Sequence, residues 1–167
     1  MLCTTISLKS SVEGAVLAYS DPVRLEMRIP ADPGLYHMSL VTRDDTFDVD
    51  TCNLSLLEWP SQKTVSAGPF DFDHTNYRMA VPVFRVFVDE IDCGLVWCEV
   101  PSPEDLQAKR VRATWAVEFG AAGEHCIRLE VPENDRYRLR WTDVAEICLQ
   151  PDDREILPFD VAASPHP

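Results

Sequence analysis

From Val111 to Val131 the chain alternates apolar and polar residues with one interruption. Val111, Ala113, Trp115, Val117 and Phe119 alternate with Arg112, Thr114, Ala116 and Glu118. After Gly120-Ala121-Ala122-Gly123, the residues Ile127, Leu129 and Val131 alternate with Cys126, Arg128 and Glu130. A period of two places every second side chain on one face, which is the pattern of a strand with one buried side. A helix has no use for it, because its own period is 3.6 residues. The glycines at the break can take positive φ, and Pro132 has no N–H for a ladder, so it ends the second strand. Tyr137, Leu139 and Trp141 then alternate with Arg136, Arg138 and Arg140, which reads as a third strand. An all-arginine face must meet water or carboxylates. Trp115 and Trp141 fall on the apolar faces and are assigned to the core.

The same alternation recurs upstream. Short strands are expected at Thr5–Leu8 and Ala15–Tyr19. Val23, Leu25, Met27 and Ile29 alternate with Arg24, Glu26 and Arg28. Pro30-Ala31-Asp32-Pro33-Gly34 then leads to a strand carrying Tyr36, Met38 and Leu40, and the two read as an antiparallel hairpin. From Arg43 to Ala80 the pattern loosens. A structureless loop of that length does not suit a compact domain, so a strand is expected over Asn53–Glu58, paired near Thr64–Ser66. Val81 to Val88 reads as a central strand, turned at Asp89–Asp92 into a partner over Gly94–Val100. Ser102 ahead of Pro103, Glu104 and Asp105 is a helix start, predicting a short helix over Pro103–Ala108. The chain is therefore expected to form one domain over 1–167: an all-β, two-sheet antiparallel β-sandwich (a jelly roll) with at most one or two short helical turns. An irregular insertion is expected at about 43–80, and a polar tail from about 152.

Composition removes several functions. Lys and Arg number 15 against 28 Asp and Glu, a net charge of −13. Phosphate binding needs a basic footprint, so nucleic acid is excluded as a main partner. No stretch is long and apolar enough to cross a membrane. MLCTTISLKSSVEG lacks the basic lead and apolar centre of a secretory signal, so a complete chain would be cytoplasmic and a fragment need not be. The six cysteines contain no CxxC spacing and read as buried or half-buried thiols rather than a disulfide framework.

No GxSxG elbow, HExxH, P-loop or GxGxxG occurs. His37, His74, His125 and His166 are isolated, and His125 and Cys126 point to opposite faces of their strand. A sandwich-fold hydrolase or lyase would need acids and a histidine converging in one pocket, and the sequence places none. Sugars bind by stacking on aromatic rings with polar groups reading the hydroxyls, for which Trp59, Tyr77, Trp97 and Tyr137 are candidates. Hard cations need clustered oxygens. Asp44, Asp45, Asp48 and Asp50 form one cluster, and Asp71, Asp73 and His74 a second; neither has EF-hand spacing.

Four pieces of the chain, in order, resemble galactose-binding-like jelly rolls. Val23–Val41 is similar to their apolar strand, Pro/Gly turn and Tyr-bearing strand. Val86–Val100 resembles a hairpin whose first strand ends in VDG, with Glu90 standing where the glycine is usual. Trp115–Leu129 carries Ala122-Gly123-Glu124-His125 in the place of their AGxH, and Leu139–Leu149 resembles their closing strand with Asp143 and Glu146 at matching spacing. The nearest resemblance is to family-6 and family-35 carbohydrate-binding modules, usually appended to polysaccharide-degrading enzymes. The resemblance implies a non-catalytic carbohydrate-binding domain, a sugar contact at Asn134, and a structural calcium held by Glu13 and Asp143. The alternative is a protein-interaction or structural sandwich with no sugar ligand, expected to show a flat apolar patch and a protein partner or homodimer.

Overall fold

The computed structural model describes residues 6–43, 55–58, 61–62, 64–66, 77–132, 140–141 and 144–151. In chain order its elements are β1 (Ser7–Ser10), β2 (Val16–Ser20), β3 (Arg24–Ala31), β4 (Gly34–Thr42), β5 (Ser55–Glu58), β6 (Thr64–Ser66), β7 (Tyr77–Val88), β8 (Ile91–Glu99), α1 (Pro103–Ala108), β9 (Arg112–Phe119), β10 (Gly123–Glu130) and β11 (Val144–Pro151). The smaller sheet has four strands in the order β1-β11-β4-β9; the larger has seven, β2-β3-β10-β7-β5-β6, with β8 on the opposite edge of β7. β1 runs parallel to β11, and the other pairs are antiparallel. Leu25, Met27, Val83, Ile127 and Leu129 from the larger sheet share one buried cluster with Met38, Leu40, Val117, Ile147 and Leu149 from the smaller. The protein is thus an all-β, two-sheet sandwich with one short helix among the described residues.

The sandwich is organised by a doubled bend. β3 pairs with β10 in the larger sheet, from Arg24↔Glu130 to Ala31↔Gly123. β4 pairs with β9 in the smaller sheet, from Gly34↔Phe119 to Val41↔Arg112. The segments 24–42 and 112–130 are therefore two antiparallel partners that cross from one sheet to the other side by side, slipping register by one residue at the bend. The hairpin expected between β3 and β4 is corrected on this point, because the two strands lie in different sheets. Pro33 has no N–H to close a hairpin, and both strands carry apolar sets that are satisfied by facing each other across the core. Tyr36 and Phe119 pack at the bend with ring centroids 5.1 Å apart, and the Tyr36 hydroxyl donates to the Asp32 carbonyl at 2.9 Å.

The second correction concerns the end of the chain. The closing strand is β11, which overlaps the Leu139–Leu149 stretch that the resemblance assigns to it; of the separate strand expected over Tyr137–Trp141, Arg140 and Trp141 belong to no strand, and residues 133–139 lie outside the described residues. Trp141 is fully buried. The β5–β6 hairpin and α1 fall where the sequence predicts them; the β7–β8 hairpin is also present, but β7 begins at Tyr77 and β8 at Ile91, so the turn is Asp89-Glu90 rather than Asp89–Asp92. The α1 start is capped by Ser102, whose Oγ accepts the Asp105 N–H at 3.1 Å. The Asp105 carboxylate is buried between the guanidinium groups of Arg110 and Arg112, at 3.3 and 3.1 Å, which pins the helix to the start of β9. The four described cysteines are free: Cys93 is exposed, Cys98 buried, and Cys126 and Cys148 half-buried. Burial pushes the Cys98 thiol well above its ordinary pKa, with Glu99 and Asp105 adding to the effect.

β7 changes phase in mid-strand. Met79, Val81 and Val83 point inward, and so do Phe84, Val86 and Val88. The two sets are out of step by one residue, and the pairing with β8 shifts between Pro82 and Phe84. This is a β-bulge, which lets consecutive residues enter the core. Phe84 is fully buried and meets Trp115 edge-on at 4.7 Å and Trp141 at 5.6 Å. The two tryptophans assigned to the core thus pack on one ring, Trp141 completely buried and Trp115 half-buried. Replacing Phe84 by Ala leaves a cavity between them and should cost about 3–5 kcal/mol, read as a drop in the urea unfolding free energy. A loss under about 1 kcal/mol would show that the rings do not pack as a unit.

Candidate functional site

The β7–β8 connection is two residues, Asp89 and Glu90, at φ 47° and 70°. Positive φ at both positions is the type I′ hairpin pattern, which normally selects Asn-Gly or Asp-Gly. Glu90 at positive φ is strained, so side-chain contacts must hold it. The Glu90 carboxylate takes both of its oxygens to Arg128 Nη1, at 2.8 and 2.7 Å. The Arg128 guanidinium in turn lies 4.3 Å over the Phe87 ring and 3.2 Å from Glu130. Glu90, more than Glu130, raises the Arg128 pKa.

Asp89 does more. Its N–H donates to the Cys126 carbonyl at 2.9 Å, and its Oδ1 accepts the Cys126 N–H at 2.9 Å. The side chain therefore completes a ladder step that the turning backbone leaves open. Oδ2 lies 2.6 Å from His125 Nδ1, and His125 Nε2 lies 2.7 Å from the Ala121 carbonyl. The ring stacks on Phe119 with centroids 4.3 Å apart. For Asp89, burial is the largest single influence and raises the pKa. The His125 ring and the Cys126 N–H together outweigh it, so the carboxyl sits below its ordinary value. A depressed folded pKa contributes stability present above the unfolded value and lost as pH falls through the folded one.

Beside this turn lies a cleft of about 340 Å³, walled by Asp89, His125 and Cys126 on one side and by Glu26 and Arg28 of β3 on the other, with Ala18 and Glu124 completing it. The volume is at the small end of ligand pockets. Glu26 is loosely paired with Arg24 at 3.9 Å. Arg28 is exposed and lies between Val16 of β2 and Cys126 of β10 in the register. Burial first, then the carboxylates of Glu26, Glu90 and Asp89, raise the Cys126 thiol, so it is not an activated nucleophile. A second hollow of about 260 Å³ lies on the outer face of the smaller sheet, beside Ser39, Thr114, Glu146 and Cys148. There Lys9 holds Glu146 at 2.8 Å and the Cys148 thiol donates to Glu146 at 3.3 Å.

The sequence candidates fall in several places. Tyr77 packs against the core, while Trp97 lies between the buried residues Val96 and Cys98 of β8 and so points to the outer face. These two rings are on opposite sides of the larger sheet and are not brought together. Glu13 is exposed in the turn between β1 and β2. Trp59, Asn134, Tyr137 and Asp143 lie outside the described residues, as do the two aspartate clusters. Among the described residues no three His, Cys, Asp or Glu side chains converge as a metal site, and no helix is long and apolar enough to cross a membrane. The residues the sequence reading did not single out are Asp89, Arg28 and Glu124. The one signal for the turn was Glu90 standing where a glycine is usual.

No protein-family profile matches the chain, and no curated protein matches it. Three solved structures are similar in fold. One is a family 35 carbohydrate-binding module, Xyl-CBM35, in complex with a glucuronic acid-containing disaccharide: 8% identity, TM-score 0.38, covering 87% of this chain and 82% of that one. A second family 35 module, from Clostridium thermocellum, has 10% identity and TM-score 0.34, covering 78% and 84%. The third is an α-L-fucosidase from Vibrio sp. strain EJY3, with 13% identity and TM-score 0.39; the match covers 89% of this chain but 24% of that enzyme. None of them assigns a role to a residue of this chain.

The strained turn gives a direct test. Glu90→Gly relieves a cost of about 1–2 kcal/mol for a side chain in the left-handed region and removes an exposed pair worth about 0–1 kcal/mol. The variant should be more stable than the parent by about 0.5–1 kcal/mol in urea unfolding. Lower stability would show that the Arg128 contact outweighs the backbone strain.

Proposed function

We propose that this is a non-catalytic carbohydrate-binding domain that takes a polyhydroxylated ligand in the cleft beside Arg28. The observation that carries the reading is the lining itself. Arg28 and Glu124 face the cleft of about 340 Å³, and neither side chain has a hydrogen-bond or ion-pair partner among the described residues. One is a donor only and the other an acceptor only. A sugar carries adjacent hydroxyls that each donate and accept, so it can satisfy both groups at once. A simple anion would meet Glu26, Glu124 and Asp89, and a simple cation would meet Arg28. The described lining has no Phe, Tyr or Trp ring, so orientation in the cleft comes from polar contacts. Trp97, on the outer face of the same sheet, is the ring available to a longer glycan crossing that face. Service as an accessory to a polysaccharide-degrading enzyme is part of the same proposal, as is a sugar contact at Asn134.

A panel of neutral, acidic and amino sugars and their oligomers, titrated against the labelled protein, should shift the amides of Arg28, Glu124 and Cys126. Arg28→Ala and Glu124→Ala should each weaken binding at least about tenfold while leaving the far-ultraviolet spectrum unchanged. Alkylation of Cys126 should slow when the sugar is bound. A panel that shifts none of these amides, or binding that survives both substitutions, removes this reading.

A further inference from the structure

His125 sits at the end of the core, beside the bend at which β9 passes into β10. Its side chain is 11% exposed and its ring lies nearly parallel to Phe119, at 15°, which fixes the plane in which its nitrogens point. Nδ1 faces Asp89 Oδ2 at 2.6 Å and Nε2 faces the Ala121 carbonyl at 2.7 Å. A backbone carbonyl has no proton to give. The Asp89 carboxylate is already an acceptor, taking the Cys126 N–H on its other oxygen. A neutral imidazole has one N–H and one bare lone pair. It would satisfy one of these partners and turn its lone pair on the other. The imidazolium satisfies both.

We infer that the proton on His125 is a latch. While it is bound, it ties the β9–β10 bend, through Ala121, to the β7–β8 turn, through Asp89; its loss releases the bend and loosens that wall of the cleft.

The charges around the ring agree. The β7–β8 turn presents Asp89, with Glu90 engaged on Arg128. β10 contributes Glu124 and Cys126 at the cleft, β3 contributes Glu26 and Arg28 across it, and β9 meets the ring with the uncharged Phe119. Of these, Asp89 is the charge in hydrogen-bond contact with the ring, and it favours the cation. The Asp89 hydrogen bond is the largest influence and raises the His125 pKa above its ordinary value, against the effect of burial. A raised folded pKa contributes stability that is fully present below the unfolded pKa and is lost as pH rises through the folded one. Together with Asp89, whose pKa is depressed, this leaves the latch closed between the lowered Asp89 value and the raised His125 value, and open on the alkaline side. The inference concerns the protein without ligand, so it stands or falls separately from the sugar reading.

Ring-nitrogen NMR of the ligand-free protein, titrated upward from pH 5, tests it. Both nitrogens should be protonated at the start, and the midpoint should lie above that of the same histidine in the urea-unfolded chain. The Ala121 carbonyl carbon and the Ala122 amide should move with that midpoint, and the urea midpoint should fall across it. His125→Gln should abolish the step in both readouts, and Asp89→Asn should move it to lower pH. A singly protonated ring at pH 5, a midpoint at or below the unfolded one, or Ala121 signals that ignore the titration would each overturn the latch. The unmodified protein alone decides this if either variant fails to fold.

Discussion

The doubled bend is the constraint on which the rest of the sandwich depends. Segments 24–42 and 112–130 are one long antiparallel pair folded across itself, so one pairing, with a one-residue slip at the bend, sets strands in both sheets. Shifting it by one residue would turn Leu25, Met27 and Ile29 out of the core together with Met38 and Leu40. Such a bend must satisfy its backbone groups where neither sheet continues. Tyr36 does part of this with its hydroxyl on the Asp32 carbonyl, and its ring with Phe119 fills the inside of the curve. His125 continues that stack and reaches the Ala121 carbonyl on the second arm. The aromatic filling of the bend and the polar closure of the sandwich end are therefore one arrangement.

The β7–β8 turn joins the same arrangement from the other side. β7 is long enough to hold β10 along its C-terminal half and β5 along its N-terminal half, with β8 on its far edge. Its end is consequently the point where the larger sheet must stop in register with β10. A type I′ turn of Asp-Glu would be a poor stand-alone hairpin signal. Here Asp89 finishes the ladder to Cys126 with its carboxylate, and Glu90 anchors on Arg128. Long-range contacts thus hold a local conformation that the two residues do not favour, and such strain tends to persist at sites with a task.

Much of this was legible. Alternation placed β3, β4, β9 and β10, a near-continuous apolar run placed β7, the Ser-Pro-Glu-Asp start placed α1, and the length of the loose segment correctly demanded the β5–β6 hairpin. The bulge was not read from the chain, because an apolar run such as Val81–Val88 does not say which of its residues point inward; the switch from odd to even between Val83 and Phe84 is seen in the burial. What alternation cannot say is which neighbour a strand pairs with. Period two is identical for a hairpin and for a strand that crosses to the opposite sheet, so the β3–β4 relation was misread. The Tyr137–Trp141 alternation is as regular as any, yet Arg140 and Trp141 belong to no strand, so regular alternation does not locate a strand end. The site was less legible still. His125 looked isolated because its partner Asp89 is distant in sequence, and Arg28 looked like any outward strand arginine.

The outer face of the larger sheet shows why Arg28 stands apart. Arg85 is held by Asp92 at 2.8 Å, Arg128 by Glu90 at 2.7 Å, and Arg24 lies over Tyr19 at 4.8 Å beside Glu26. In a chain with 28 acids and 15 bases, carboxylates outnumber cations, and an arginine without a described partner runs against that excess. Its register position explains it. Arg28 faces Val16 on one side and Cys126 on the other, so neither neighbouring strand offers it a carboxylate directly opposite. Glu124, two residues before Cys126 on the same strand face, is likewise opposite Pro30 rather than a cation. Sheet geometry that pairs the other nearby arginines leaves these two facing a cleft, and the wall opposite Arg28 is the one that the His125 proton holds in place.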